Sequence, residues 1–142
     1  MERTKIRVTT TIAAEPNKVW EYWTNPEHIV NWNFASEDWH CPAAENDLRT
    51  GGRFKYTMAC KDGEMQFDFE GVYDDIIPEK KIAYTLADAR QVAVIFKKEI
   101  RKTKVIETFD AENTHTVEVQ RNGWQAILDN FKKYVESQVK SL

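Results

Sequence analysis

The sequence predicts an α+β fold in which a curved antiparallel sheet is closed by a long C-terminal helix. Three observations predict it. A β-branched strand pattern opens the chain. A meander of alternating apolar and polar residues fills its middle. From about residue 114 the period changes from two to that of a helix.

Each element follows in order. Lys5-Ile6-Arg7-Val8-Thr9-Thr10-Thr11-Ile12 alternates apolar and polar and reads as a half-buried strand. Pro16 stands where a helix begins, its fixed φ and missing donor harmless there. Val19, Trp20 and Trp23 fall on one face of that short helix. Asn25 caps a second, with Pro26 in its first turn and Ile29 and Trp32 at helical spacing. Arg53 to Cys60 is a strand with Phe54, Tyr56, Met58 and Cys60 on one face. Lys61-Asp62-Gly63 is a hairpin cue. The return strand places Phe67, Phe69 and Tyr73 on one side, and Gly71 within it signals a bulge or a close backbone approach. Further strands start at Ile82, run from Gln91 to Phe96 and run from Lys104 to Phe109. Trp124, Ile127, Leu128, Phe131, Tyr134 and Val135 then recur at three- and four-residue steps, with Gln125, Asp129, Lys132, Lys133 and Glu136 opposite. A sheet with one apolar face must cover it, and the last helix is the only element long enough to do so. Repeats and linkers are absent from this pattern, so residues 1–142 read as one domain.

Composition narrows the function classes. Twenty Lys and Arg stand against 23 Asp and Glu, a formal charge of −3, which offers no electrostatic footprint for nucleic acid. The charged start and the lack of a long apolar run argue against a secretory signal or a membrane span and for a cytoplasmic protein. In that compartment Cys41 and Cys60 read as reduced thiols. Five Trp, five Tyr and seven Phe give the chain a core rich in rigid rings.

The segments Val19 to His28 with Trp32, Asp47 to Phe54, Phe69 to Tyr73 with Pro78, and Gly123 to Phe131 resemble, in this joint order, the START-like or polyketide cyclase-like superfamily. Within it they are similar to proteins homologous to the C-terminal domain of the activator of Hsp90 ATPase. The resemblance implies a helix-grip fold with a deep cavity between sheet and terminal helix, often used for lipids, polyketides or other apolar molecules. It also implies that many members have no catalysis, and it adds stress-related and chaperone-associated roles.

The candidate ligand-binding set is Trp20, Trp23, Trp32, Trp39, Phe54, Phe67, Phe69, Tyr84, Trp124 and Leu128, with the early helices carrying Trp20, Trp23 and Trp32 framing the mouth. For each ring alone core packing is the favoured explanation; the set together points to a pocket. His28, His40 and His115 lie on three elements without metal-ligand spacing, so neither a metal nor a cofactor is expected. Gly51-Gly52 reads as a turn feeding the strand at Phe54, with Asp47 or Arg49 making structural hydrogen bonds. The basic run Lys97, Lys98, Arg101, Lys102 and Lys104, broken by Glu99, reads as a solvated hairpin. Glu107 sits in an ambiguous alternation and reads as solvated; facing the cavity unpaired, it would become a functional candidate. Gly123 within the helix costs about 1 kcal/mol relative to Ala. Close packing on the sheet explains it, or a weak point that admits a ligand.

Three functions follow, in order. The first is non-catalytic binding of a hydrophobic small molecule by a monomer or weak homodimer. The second is a chaperone-associated interaction module. The third is a cyclase or hydrolase with nominees Glu107, Tyr84 and His40, which no spacing rule joins.

Overall fold

The computed structural model describes residues 3–140. Seven strands form one curled antiparallel sheet: β1 (Lys5–Ile12), β2 (Trp39–Asn46), β3 (Arg53–Cys60), β4 (Gln66–Ile77), β5 (Lys81–Leu86), β6 (Gln91–Glu99) and β7 (Lys102–Asp110). Their order is β1-β7-β6-β5-β4-β3-β2. The meander therefore runs in sequence from β2 to β7, and β1 closes the far edge against β7. Two short helices, α1 (Pro16–Thr24) and α2 (Pro26–Ile29), follow β1, and α3 (Val117–Lys140) ends the chain. This is the helix-grip arrangement expected.

The alternation decides which face is which. Along β7, Thr103, Val105, Glu107 and Phe109 are buried while the residues between them are half-exposed. Val92, Val94 and Phe96 on β6, and Ile82, Tyr84 and Leu86 on β5, continue that concave face. Against it α3 turns Leu128, Phe131 and Val135, all at most 1% exposed. Leu128 is thus a core residue.

The helices are bound to each other by polar staples. Asn25 accepts a hydrogen bond from the Glu27 amide at 3.0 Å, capping α2 as the sequence signals. The Trp32 indole donates to the Tyr22 carbonyl at 2.9 Å, and Asn130 of α3 donates to the Trp32 carbonyl at 2.8 Å. Thr116 caps α3 by accepting from the Val119 amide at 3.1 Å, so the helix starts at Val117 rather than near Thr114.

The glycines sort by geometry. A Cβ on Gly71 would lie 2.5 Å from the Thr85 carbonyl and 3.0 Å from the Phe54 ring, so a close approach explains it. The bulge in β4 falls later, between Tyr73 and Asp75. Gly51 has φ of 84°, and a Cβ on Gly52 would meet the Asp47 carbonyl at 2.1 Å; both are turn residues. Arg49 donates to the Asp47 carboxylate at 2.9 Å across that turn.

β2 carries no clear alternation in the sequence, yet it forms the edge strand, with a register irregularity between His40 and Ala43 that accommodates Pro42. The basic run is the solvated hairpin expected: β6 and β7 extend through it and turn at Ile100 and Arg101.

Candidate functional site

Between the concave face and α3 the structure encloses a cavity of about 360 Å³. That size suits a small organic guest. The sheet supplies Phe54, Tyr56 and Met58 from β3, Phe67, Phe69 and Tyr73 from β4, Ile82 and Tyr84 from β5, and Glu107 from β7. From α3 come Val119, Gln120, Gly123, Trp124 and Ile127, spaced so that one helical face lines the roof. Trp23 and Trp32 close one end.

Of the residues singled out from the sequence, seven line this space: Trp23, Trp32, Phe54, Phe67, Phe69, Tyr84 and Trp124. Three do not, and each has a physical reason. Trp20 stops short of the cavity because it packs edge-on against Phe96, with ring centroids 5.4 Å apart. Trp39 pairs with Cys60 at the far end of the β2–β3 ladder and lies against Phe67 from outside. Leu128 is sunk in the core.

The mouth is also elsewhere than expected. Trp23 and Trp32 pack on each other and on Phe131, with centroids between 4.6 and 5.1 Å apart, and plug the end nearest the early helices. The solvent-facing wall residues are Phe67 of β4, 51% exposed, and Val119 of α3, 55% exposed. The opening therefore lies by the N-terminal end of α3. His115 and Glu112, whose ring nitrogen and carboxylate are 3.2 Å apart, stand beside it. Gln120 holds that segment by accepting from the Glu112 amide at 2.8 Å and donating to the His115 carbonyl at 2.9 Å.

Gly123 faces the cavity. A Cβ there would meet nothing within 4 Å, which removes close packing on the sheet as its explanation.

Polar groups are few: besides Asn33, which bonds the Cys41 thiol, and the residues at the mouth, they fall into two sets. The first is tied up: the Tyr73 hydroxyl donates to Asn46 at 2.6 Å, and Asn46 donates to the Thr24 carbonyl at 2.6 Å, linking β4, β2 and α1. The Tyr56 and Tyr73 hydroxyls are 3.5 Å apart.

The second set is free. Glu107 is 6% exposed, and among the described residues its carboxyl group makes no hydrogen bond or ion pair. Burial pushes its pKa up to about 8 from an ordinary 4.5. This corrects the solvated reading. The β7 register sets Glu107 between Val8 and Val94 on neighbouring strands, and the alternation through Val105 and Phe109 points it inward. The Tyr84 hydroxyl also lacks a partner among the described residues. Burial, then the nearby Glu107 charge, raises its pKa well above 10, so it stays a donor. Arg90 lines the same region, its Nε donating to Asp88 at 2.7 Å. Sequence reasoning could have found Glu107 by requiring it to share the face of its neighbours two residues away.

A comparison with curated proteins finds no match. Among solved structures, the AHSA1-like protein from Aeromonas hydrophila is similar at 44% identity, TM-score 0.90, covering 95% of this chain and 94% of that one. A protein from Cytophaga hutchinsonii is 48% identical with a TM-score of 0.82, covering 97% and 96%. One from Chromobacterium violaceum, 21% identical with a TM-score of 0.85 over 94% and 98%, shares the fold. Residues 13–136 match the family model described as Activator of Hsp90 ATPase homolog 1-like protein. With the curled sheet, the gripping helix and this match over most of its length, the chain belongs to the Activator of Hsp90 ATPase homolog 1-like family, on a START-like fold.

Proposed function

We propose that this protein binds a hydrophobic small molecule, without transforming it, in the cavity between the sheet and α3. The single observation that carries the reading is the cavity itself: about 360 Å³ walled by Trp, Phe and Tyr rings and open beside Val119 and Phe67. Rings of this kind give apolar contact area with little conformational entropy to lose. Trp23, Trp32 and Trp124 in the walls make the protein its own reporter. A panel of aromatic and lipid-like compounds should quench tryptophan emission and raise Tm. Failure of the whole panel on both readouts would overturn the reading.

Glu107 favours a second reading, an enzyme with one buried acid. It ranks below binding because no Ser, Thr, Cys or Lys stands among the lining residues to act as a nucleophile beside that acid. Turnover of any cavity-sized ester or ketone, abolished by Glu107→Gln, would promote it. The family description supports a chaperone-associated role, which a pull-down with Hsp90 and an assay of its ATP hydrolysis would test.

A further inference from the structure

We propose that the cavity selects guests carrying a hydrogen-bond-accepting oxygen on a ring-sized apolar body, with Glu107 in its neutral form and Tyr84 as the two donors that hold that oxygen. The inference rests on the binding reading above and names its ligand class.

The geometry carries it. Burying a polar group without a partner is unfavourable, and buried carboxyl groups are ordinarily paired. Here Glu107 at 6% and Tyr84 at 7% exposure make no hydrogen bond among the described residues and keep their polar atoms accessible to a mostly apolar cavity that both line. They stand on β7 and β5, either side of β6: Glu107 lies opposite Val94, and Tyr84 opposite Val92. A guest placed against that part of the sheet meets both donors at once. A ketone, aldehyde, quinone or phenol oxygen has the lone pairs to accept from both.

The groups around Glu107 decide between a neutral acceptor and a cation. Its ladder neighbours Val8 and Val94 carry no charge. Tyr84 faces it from β5 and stays protonated. The lining residues of α3, Gln120, Gly123, Trp124 and Ile127 among them, are neutral. Glu112 and His115 are paired with each other at the mouth. Arg90, on the turn before β6, adds positive potential that opposes a cationic guest. Neutral Glu107 is the form that burial favours at neutral pH.

Three probes with one body test this: acetylnaphthalene, ethylnaphthalene and aminomethylnaphthalene, titrated by tryptophan quenching at pH 6 and pH 9. The acetyl compound should bind about tenfold tighter than the ethyl compound at pH 6. That preference should fall severalfold by pH 9, where roughly a tenth of Glu107 remains neutral and Tyr84 is the donor left. Glu107→Gln keeps a donor at every pH, so its preference should persist at pH 9. Tyr84→Phe, which retains the ring, should lower the preference severalfold at both pH values. Equal binding of acetyl and ethyl probes leaves the cavity reading standing and overturns this one. Preference for the amine overturns it in favour of an ionised Glu107 facing a cation. A pH-dependent preference that survives unchanged in Glu107→Gln overturns the role of Glu107. Binding of none of the three overturns both readings.

Discussion

The indole of Trp124 lies flat on the ring of Phe109, with centroids 3.8 Å apart and planes 9° from parallel. This stack fixes the roof of the cavity, α3, onto β7 two residues from Glu107. Phe109 is fully buried, so Phe109→Ala should cost about 3–5 kcal/mol in urea unfolding. Trp124→Ala should cost about 1 kcal/mol less in a Phe109→Leu background than in the native one, because the ring pair is already broken. Additive losses would show that the two rings do not support each other.

Gly123→Ala should stabilise the protein. The residue lies inside α3, where Ala is favoured by about 1 kcal/mol, and the added methyl meets only cavity space. The same methyl intrudes on a guest, so Tm should rise while probe affinity falls. A lower Tm would mean that the space above Gly123 is not open.

The two buried acids on β7 should give stability opposite pH dependences. Between about pH 4.5 and 8 the folded chain holds a proton on Glu107 that the unfolded chain has released. Stability therefore falls as pH rises through that window, by at most about 1.4 kcal/mol per unit, and levels off above it. Glu107→Gln should flatten this limb in urea titrations from pH 5 to 8.

Asp110 behaves in the other sense. Burial alone would raise its pKa, but the Lys5 ammonium and the Gln91 amide, 2.7 Å away, hold it below the ordinary 3.8. Its contribution is complete above that value and is lost as pH falls through the lower, folded one. Asp110→Asn should weaken the protein at neutral pH and remove part of its acid-limb sensitivity. An unchanged acid limb would assign it to other carboxylates.

The Tyr73–Asn46–Thr24 chain ties β4 and the edge strand β2 to α1. Tyr73→Phe removes the hydrogen bond to Asn46 and the longer contact with Tyr56, and should cost about 1 kcal/mol by urea unfolding. Asn46→Ala removes both links and should cost about 2 kcal/mol, with faster amide exchange confined to β2 and α1. Protection unchanged in both elements would mean that the tether does not hold them.

How much of this was legible depended on how one-sided each element is. Strands with a single apolar face, such as Arg53–Cys60, and the long helix could be read directly, because period two and period 3.6 leave different stripes. β2 could not: Pro42 and the irregularity beside it break the alternation of an edge strand. Glu107 reads as solvated because Ile106 adds an apolar residue to the outer face of β7 and masks the inward stripe that Glu107 shares with Val105 and Phe109. Trp20 and Trp39 have the composition of a pocket wall, but which face of a helix or which end of a ladder they occupy is settled by tertiary packing. The mouth moved for the same reason: Phe131 fills the space between Trp23 and Trp32, a contact between residues about a hundred positions apart.

The pairing of β1 with β7 sets an order of events in folding. Lys5 finds Asp110, and Ile12 finds Thr103, so the first strand waits for the last before its amides are satisfied. Adjacent hairpins from β2 to β7 can zip locally, whereas docking β1 must close a loop of roughly ninety residues. On a ribosome the opening strand therefore emerges long before its partner exists, and its β-branched Val8-Thr9-Thr10-Thr11-Ile12 edge is the segment that a holdase would have most reason to shield.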